Sequence, residues 1–398
     1  MSMKNLYHHR WYFALAILFS VMCIYALLEV KNHRFGLCDF HVYYVAGERM
    51  LHGENLYRSV EDGFYEYKYS PVAAIYFIPF SLMSYTLAKI SYWLFLSFLV
   101  CFGFVLTYDI LEPGFFHYAN YRRVNFIFFL AALALVVHIA RELELGQVNH
   151  LLLVIYIGIL WCLSKKKYIA GGILAGISIF LKPFGLIFLP WLLIRKEWKA
   201  VVTFIGSSIV LAFLPCVFMG FTVVGQQYSS WLKQMQIELS NKESMLADAN
   251  HTIFSVLARY SPLRMTSFVI DNVFLYQFVI LFIVAGIFLW IVMRGKRTEK
   301  SLLLEGVFLV ALIPLLSCTS YNAFGFVECA VILLLYHYNS LTHLQKWLTV
   351  LGMIFTGGNI YELWGRKLWF VFENASLIAV GTILLLVTLY LVRRKQIC

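Results

Sequence analysis

The chain has 398 residues, of which 61% are hydrophobic and 13% charged, and its mean hydropathy is +0.77. A soluble domain carries about 25% charged residues, so this chain lacks the polar surface that a water-facing globule needs. The net charge of +11 comes from basic residues in short clusters between apolar runs, and such clusters orient helices in a membrane. Composition therefore excludes a soluble domain, a disordered protein and a nucleic-acid binder, and it predicts an all-α polytopic membrane protein.

Apolar runs recur along the whole chain and predict about twelve membrane segments. The first run, 11–28, follows Lys4 and Arg10 and has no cleavage site, so we expect an uncleaved signal anchor with a cytoplasmic N-terminus. The later runs lie at 87–108, 124–140, 148–163, 168–181, 183–194, 200–220, 268–293, 302–316, 324–337, 345–357 and 369–391. Several are too short to cross a bilayer untilted, since a straight span needs about 20 residues.

The stretch Pro71–Met83 decides which side of the membrane each later loop faces. If it crosses, the basic clusters Arg122–Arg123 and Lys165–Lys167 lie outside. If it is a half-inserted outer helix, both clusters and the later ones lie inside, as the positive-inside rule favours. We therefore interpret Pro71–Met83 as a half-inserted helix on the extracytoplasmic side.

Two connections, 31–70 and 221–267, are too long to be simple turns and fall on the extracytoplasmic side in this arrangement. Long ordered loops in a tight bundle usually carry function. We divide the chain into a catalytic membrane module at 1–220, which includes the outer loop 31–86, the second outer loop, and C-terminal transmembrane helices at 268–398.

The first outer loop contains a predicted amphipathic helix in the membrane interface. Its apolar stripe consists of Phe40, Tyr43, Tyr44, Gly47 and Leu51, spaced as one helix face.

Asp39 stands directly before this stripe, and two interpretations of it are compatible. An acidic residue at that position is a common helix N-cap. A carboxylate held at the membrane surface could also serve as a general base.

Three stretches of the chain occur in the order of the motifs of a known family. They are Asp39-x-x-x-Tyr43-Tyr44-x-Ala46-Gly47 with Leu51-x-Gly53-x-x-Leu56-Tyr57 and Tyr67-x-Tyr69-x-Pro71, then Gly146-Gln147-Val148-Asn149, then Ala170-Gly171-Gly172 through Gly176 to Leu181-Lys182-Pro183. Together they resemble glycosyltransferase family 87, the bacterial polyprenol-phosphate-mannose-dependent mannosyltransferases of the GT-C superfamily. The resemblance covers residues 37–200 well and is weak after residue 200.

The resemblance implies a GT-C-type bundle with juxtamembrane helices and an acidic catalytic base in the first outer loop, a role that falls to Asp39. It implies an inverting transfer of a hexose, mannose first, from a polyprenyl-phosphate sugar. The acceptor would be a cell-envelope glycan or glycolipid on the extracytoplasmic side of the plasma membrane. A transporter or flippase for a lipid or polysaccharide is the alternative.

Lys182 is the best candidate to contact the leaving phosphate, because a lysine between two apolar half-helices is costly. The alternative is a lysine that snorkels to the headgroups. Lys68, Arg49 and Arg259 are weaker candidates for the same contact.

Five other side chains are candidates for substrate binding. The amides of Gln147 and Asn149 offer donors and acceptors that suit sugar hydroxyls, although they could equally begin a capped helix. Tyr43 and Tyr44 could pack against a sugar or belong to an aromatic belt. His251 lies in the second outer loop and could help bind substrate, or simply be exposed.

No cofactor is expected, and no metal site is predicted, because the histidines of the first outer loop lack ligand spacing. The expected partners are the donor, the acceptor and membrane lipid, with the protein itself a monomer. A late motif of the family, Trp followed by paired His, is absent, and Ser317–Asn322 stand in its place. The sugar, the acceptor and the linkage therefore stay open.

Overall fold

The computed structural model describes residues 12–115, 121–262, 272–294, 298–317 and 321–397. Within these ranges every regular element is a helix, as the sequence predicts. The longer helices are α1 (Tyr12–Lys31), α2 (Cys38–His52), α3 (Pro71–Ser81), α4 (Tyr85–Phe115), α5 (Tyr121–Leu145), α6 (Asn149–Ser164), α7 (Tyr168–Leu181), α8 (Phe188–Arg195), α9 (Trp198–Phe213), α10 (Phe221–Ser240), α11 (Ile253–Tyr260), α12 (Val273–Met293), α13 (Glu299–Leu316), α14 (Glu328–His337), α15 (His343–Gly357), α16 (Tyr361–Asn374) and α17 (Leu377–Ile397). Short helical turns occupy Ser59–Asp62, Gly63–Tyr65, Pro183–Ile187, Cys216–Met219, Lys242–Leu246, Tyr321–Val327 and Tyr338–Ser340.

In the described part of the chain, 7 helical segments are long and apolar enough to cross a membrane. They are Tyr12–Lys31, Tyr85–Leu111, Arg122–Leu145, Trp198–Met219, Val273–Met293, Asn322–Ser340 and Leu377–Arg394. Shorter apolar helices occupy Pro71–Ser81, Asn149–Ser164, Tyr168–Leu181 and Pro183–Arg195. The protein is therefore an all-α polytopic membrane protein, and the count of about twelve crossings stays a prediction.

One sequence expectation is wrong in detail. The run 369–391 is not one segment, because the chain breaks between α16 and α17 at Ala375 and Ser376, where Ser376 has a φ of 48°. The described part of the connection 221–267 is mostly helical, since α10 alone spans 20 residues and buries Val224 and Gln227 on one face. The other expected runs each overlap a helix, although residues 263–271 and 318–320 lie outside the described residues.

The chain folds as two compact units, each built from separated stretches of sequence. The first unit contains residues 21–103 and 141–239, and the second contains residues 1–20, 104–140 and 240–398. The sequence-based division at residues 220 and 267 follows the outer loops and stays a prediction.

In the first unit, α2 packs closely on α3 because Gly47 has no side chain. A Cβ on Gly47 would lie 3.0 Å from the backbone carbon of Phe77 and would overlap the Ser81 hydroxyl. The predicted helix is confirmed, but its buried face is rotated from the predicted stripe towards Ala46 and Met50, and Tyr44 is only half-buried. The close approach fixes where α2, and the acidic residue near its start, stand over α3.

The helix pair α7 and α9 depends on the same device, since Gly172 and Gly176 allow the two backbones to approach. A Cβ on Gly172 would overlap the Ala200 carbonyl and the Thr203 hydroxyl, and one on Gly176 would overlap the Ser207 hydroxyl. Small residues at such contacts are typical of helix packing in membranes. The pair therefore gives α7, which ends directly before Lys182, a rigid support.

The second unit contains a buried ion pair. Arg393 on α17 donates to the Glu305 carboxylate on α13 at 2.7 Å, and the two side chains are 6% and 0% exposed. Removing one partner of such a pair would leave a buried charge uncompensated. Arg393 thus contributes to packing as well as to the basic cluster predicted to lie inside.

We predict that Gly47→Val lowers the free energy of unfolding by about 1–3 kcal/mol, because overpacking forces α2 away from α3. Thermal unfolding in detergent measures the effect. Gly206→Val on α9 is the matched control, since a Cβ there would meet nothing within 4 Å. Equal unfolding temperatures for the two variants would contradict the role of Gly47.

Candidate active site

Asp39 lies in the first turn of α2 and is not its N-cap, so the capping interpretation is wrong. Leu37 occupies the cap position with a left-handed backbone (φ 51°), and no side chain caps the helix there. The Asp39 carboxylate is half-buried and accepts a hydrogen bond from the Gln147 amide nitrogen. The positive end of the helix dipole favours a negative charge at this position.

The turn Gly146–Asn149 between α5 and α6 is pressed against the start of α2. Gly146 has a φ of 68°, a backbone conformation that is strained for residues with a side chain. A Cβ added at this position would lie 2.9 Å from the side chains of Leu37 and Phe40. Glycine therefore fits this position for two reasons, conformation and space. The following residues, Gln147 and Asn149, are consequently delivered to the neighbourhood of Asp39.

The Gln147 amide has a fixed direction. While its nitrogen donates to Asp39, its oxygen accepts from the Tyr43 hydroxyl at 3.2 Å and the Tyr69 hydroxyl at 3.4 Å, and the Lys182 ammonium lies at 3.5 Å. Reversing the amide would face its nitrogen to the Lys182 ammonium, which can only donate, and its oxygen to the Asp39 carboxylate. Gln147 thus connects the carboxylate to the two phenols and the lysine.

Lys182 extends from the end of α7, where Pro183 stops the helix. Its ammonium donates to the Asn149 amide oxygen at 2.8 Å and lies 5.9 Å from the centre of the Tyr69 ring. The amide nitrogen of Asn149 in turn donates to the Glu142 carboxylate at 3.0 Å. The cation is therefore anchored by polar neighbours and does not snorkel away from the protein.

The segment Glu66–Tyr69 is extended and presents alternate residues to two different neighbours. Glu66 accepts from Gln234 at 2.8 Å and Lys68 donates to Glu238 at 2.7 Å, both on α10. On the other side, Tyr67 is buried, and the Tyr69 hydroxyl lies 2.7 Å from the Tyr43 hydroxyl. The segment therefore places Tyr69 in the site and Lys68 outside it.

Burial and nearby charges shift the titration of both ionisable groups at the centre. Burial raises the pKa of Asp39, while the hydrogen bond from Gln147 and the charge of Lys182 oppose this shift. Burial lowers the pKa of Lys182 to about 8, and the charges of Glu142 and Asp39 oppose that shift. The site thus combines a carboxylate whose raised pKa makes it a stronger base with an ammonium that loses its charge as the pH rises through about 8.

Five of the ten residues singled out from the sequence come together: Asp39, Tyr43, Gln147, Asn149 and Lys182. The other five have contacts elsewhere, and two of them form ion pairs, Arg49 with Asp62 and Arg259 with Asp248. The Tyr44 hydroxyl donates to the Met83 carbonyl at 2.9 Å, and Lys68 pairs with Glu238.

His251 belongs to the second unit, where it is fully buried. Its ring nitrogens lie 3.3 Å from the Ser376 hydroxyl and 3.2 Å from the Glu373 carboxylate. The buried environment contradicts the interpretation of His251 as an exposed loop residue.

Two members of the cluster, Tyr69 and Glu142, were not selected from the sequence. Tyr69 was quoted in the first motif, and the alternation of residues 66–69 is the signal that separates it from Lys68. Glu142 follows a long apolar run and precedes the Gly-Gln-x-Asn motif by four residues, which marks a carboxylate beside a turn. Its burial depends on tertiary contacts that no local pattern reveals.

The cluster combines the half-buried Asp39 carboxylate, the fully buried Glu142 carboxylate, one ammonium and several neutral donors. Such a set can accept a proton from a hydroxyl and stabilise a developing negative charge. Among the described residues, no group of three or more His, Cys, Asp or Glu side chains could hold a metal ion.

Comparison with known proteins identifies the family to which the chain belongs. The sequence model of glycosyltransferase family 87 matches residues 67–319, well over half of the chain. The chain is a polytopic membrane protein, and it belongs to glycosyltransferase family 87. The match includes Gln147, Asn149 and Lys182 and begins after Asp39 and Tyr43, so the hydrogen bond from Gln147 to Asp39 joins the matched region to the preceding loop.

One curated relative is the alpha-(1->3)-arabinofuranosyltransferase of Corynebacterium glutamicum, which is 27% identical over 179 residues. The aligned region covers 43% of this chain and 40% of the relative, so the chain spans well under half the length of that protein. No solved structure matches the chain.

We predict that Gly146→Ala reduces transferase activity by at least about tenfold, because the added methyl group pushes the turn off α2 and separates Gln147 from Asp39. Initial rates at saturating donor measure the loss. Gly63→Ala is the control, because Gly63 also has a positive φ but open space around its Cβ. Equal losses in the two variants would indicate backbone strain alone and contradict the packing argument.

Proposed function

We propose that this glycosyltransferase is an inverting enzyme that uses a polyprenyl-phosphate sugar. The hexose, mannose in the first instance, passes to a cell-envelope glycan or glycolipid acceptor. The observation that carries the proposal is the half-buried Asp39 carboxylate held beside the Lys182 ammonium by Gln147. Membership of a glycosyltransferase family favours this function over lipid or polysaccharide transport.

Asp39 acts as the general base. As the acceptor hydroxyl oxygen attacks the anomeric carbon, its proton passes to the Asp39 carboxylate, and the bond from the anomeric carbon to the phosphate oxygen breaks. Polyprenyl phosphate leaves with the electron pair of that bond. A positioned carboxylate contributes about 10²–10⁴-fold to such a step.

Lys182 stabilises the departing phosphate. A charge-assisted contact from an ammonium to phosphate oxygens is worth more in a partly buried site than in water. Its anchorage by Asn149 at 2.8 Å supports a fixed position for this charge. In the proposed role Gln147 and Asn149 therefore hold the reacting groups. Direct sugar contact falls to the half-buried Tyr69, whose hydroxyl is supported by Tyr43, a side chain only 1% exposed.

The environment of the second carboxylate supports inversion. Retention by double displacement needs a second carboxylate that can reach the anomeric carbon. Glu142 is fully buried, and its two oxygens accept from Asn149 and from the backbone of His150. Asp39 is the carboxylate of the cluster that keeps partial exposure.

We place the site on the extracytoplasmic side of the plasma membrane, because the basic clusters between the apolar runs favour the cytoplasmic side. We also propose that the protein is a monomer and needs no metal. The substrate-binding roles of Tyr44, Lys68 and His251 stay predictions. Reaction of a thiol-specific, membrane-impermeant reagent with Gln147→Cys but not with Lys165→Cys, in a cysteine-free background, supports this placement. The opposite pattern refutes it.

A second donor is favoured by one comparison. The related protein is named as an arabinofuranosyltransferase, so a polyprenyl-phosphate pentofuranose is the competing donor. Parallel assays with radiolabelled polyprenyl-phosphate mannose and polyprenyl-phosphate arabinofuranose decide between them. Transfer of the pentose alone would replace mannose in the proposal and leave the role of Asp39 unchanged.

We predict that Asp39→Asn lowers kcat by about 10²–10⁴-fold while the variant still folds, since an amide is isosteric but cannot accept the proton. Radiolabelled sugar transfer measures the rate. Glu48→Gln is the control, because Glu48 is an exposed carboxylate on the same helix. Full activity of Asp39→Asn would show that another group is the base.

We predict a bell-shaped dependence of kcat/KM on pH. Activity falls at low pH as Asp39 becomes protonated, at a pH above the ordinary Asp value of about 3.9 because burial raises its pKa. Activity falls again as pH rises through about 8, where Lys182 loses its charge.

Lys182→Arg tests the assignment of the alkaline limb, because a guanidinium stays charged throughout the range. We expect that limb to disappear in the variant while the acid limb stays. An unchanged alkaline limb would assign it to another group.

A further inference from the structure

Glu142 is a fully buried carboxylate that the proposed reaction does not use. It lies in the last turn of α5, and its carboxylate accepts from the Asn149 amide nitrogen at 3.0 Å and from the His150 backbone N–H at 2.9 Å. Its backbone carbonyl also accepts from the N–H groups of Gly146 and Gln147. One residue therefore organises the whole turn that carries Gln147 and Asn149.

Glu142 determines which way the Asn149 amide points. Because the amide nitrogen donates to the carboxylate, the amide oxygen is directed to the other side, where it accepts from the Lys182 ammonium. A reversed amide would set its oxygen against the carboxylate and its nitrogen against the ammonium, which is unfavourable at both ends. The chain Glu142, Asn149, Lys182 thus has a single satisfied arrangement.

The charge of Glu142 acts on both ionisable groups of the site. It raises the pKa of Lys182 and so opposes the effect of burial. Its contribution to the pKa of Lys182 is larger than that of Asp39. The same charge raises the pKa of Asp39. Because the Glu142 carboxylate is fully buried, such couplings are stronger here than at the surface.

We propose that Glu142 is a positioning residue of the transfer reaction, which holds the Lys182 ammonium beside Asp39 through Asn149 and supplies its counter-charge. This inference rests on the proposed roles of Asp39 and Lys182. The buried carboxylate, the two hydrogen bonds that it accepts and the 2.8 Å contact from Lys182 to Asn149 carry it.

Other titratable groups face the same place. Tyr69 and Tyr92 sense the charge of Glu142, Arg141 acts on Asp39, and the His150 ring nitrogen lies 3.9 Å from the Glu142 carboxylate. Burial holds the pKa of Tyr69 above its ordinary value, so this phenol stays neutral in the assay range. His150→Gln removes the imidazole and keeps the backbone N–H, which separates the effect of the imidazole from that of the Glu142 carboxylate.

The test is the pH profile of kcat/KM in the full-length Glu142→Gln protein. Loss of the negative charge lowers the pKa of Asp39 and of Lys182, so both limbs move to lower pH by about one unit. Glu142→Asp keeps the charge on a shorter side chain, so kcat falls while both limbs stay in place. A residue that only supported the fold would lower kcat/KM without moving the limbs, and that result overturns the proposal.

Glu144→Gln is the matched control, because Glu144 is an exposed carboxylate two residues away that pairs with Arg141. We expect its limbs to coincide with those of the unaltered enzyme. A shift as large as that of Glu142→Gln would mean that any negative charge on this turn acts alike, which contradicts the specific role of Glu142.

Competitive labelling of amines, read at Lys182 by mass spectrometry across pH, gives a readout without catalysis. We expect Lys182 to titrate near pH 8 in the unaltered protein and lower in Glu142→Gln. Equal titration of Lys182 in the unaltered protein and in Glu142→Gln overturns the inference. If Glu142→Gln does not fold, an unchanged kcat in Glu142→Asp overturns it instead. Full activity of Asp39→Asn would instead defeat the proposed function, and the labelling would still report the coupling.

Discussion

The close contact between Gly146 and the start of α2 is the constraint on which the site depends. The glycine has a φ of 68° and leaves no room for a Cβ beside Leu37 and Phe40. Through that contact one short turn places Gln147 against Asp39 and Asn149 against Lys182, although the carboxylate and the ammonium come from elements more than a hundred residues apart. The chemistry of the site is thus assembled by a backbone approach, and the polar side chains follow from it.

The membrane scaffold serves this turn from several directions. Gly47 sets α2 on α3, and Gly172 and Gly176 set α7 on α9, so the two elements that carry Asp39 and Lys182 have tightly packed supports. Small residues at helix contacts suit a bilayer, where van der Waals packing rather than the hydrophobic effect brings helices together. Four motif glycines, Gly47, Gly146, Gly172 and Gly176, are therefore packing residues, whereas Asp39, Gln147, Asn149 and Lys182 of the same motifs meet in the site.

Much of the architecture could be predicted from the sequence, because apolar length and periodicity are strong local signals. The helix at Cys38–His52 and the helix that begins at Pro71 follow from spacing and from proline at the first helical position. The break at Ser376 and the helix α10 could not be predicted, since both depend on contacts with distant residues. In the site, Asp39, Gln147 and Lys182 were found from motifs, but Glu142 was missed because only the fold reveals that its carboxylate is buried.

The extended segment Glu66–Tyr69 imposes a requirement on chain length more than on residue identity. Glu66 and Lys68 bond to α10, while the Tyr69 hydroxyl lies beside that of Tyr43 in the site. A deletion or insertion of one residue there would move Tyr69 away from Tyr43 or Lys68 away from Glu238. The length of this short segment therefore couples the surface of α10 to the position of a phenol in the site.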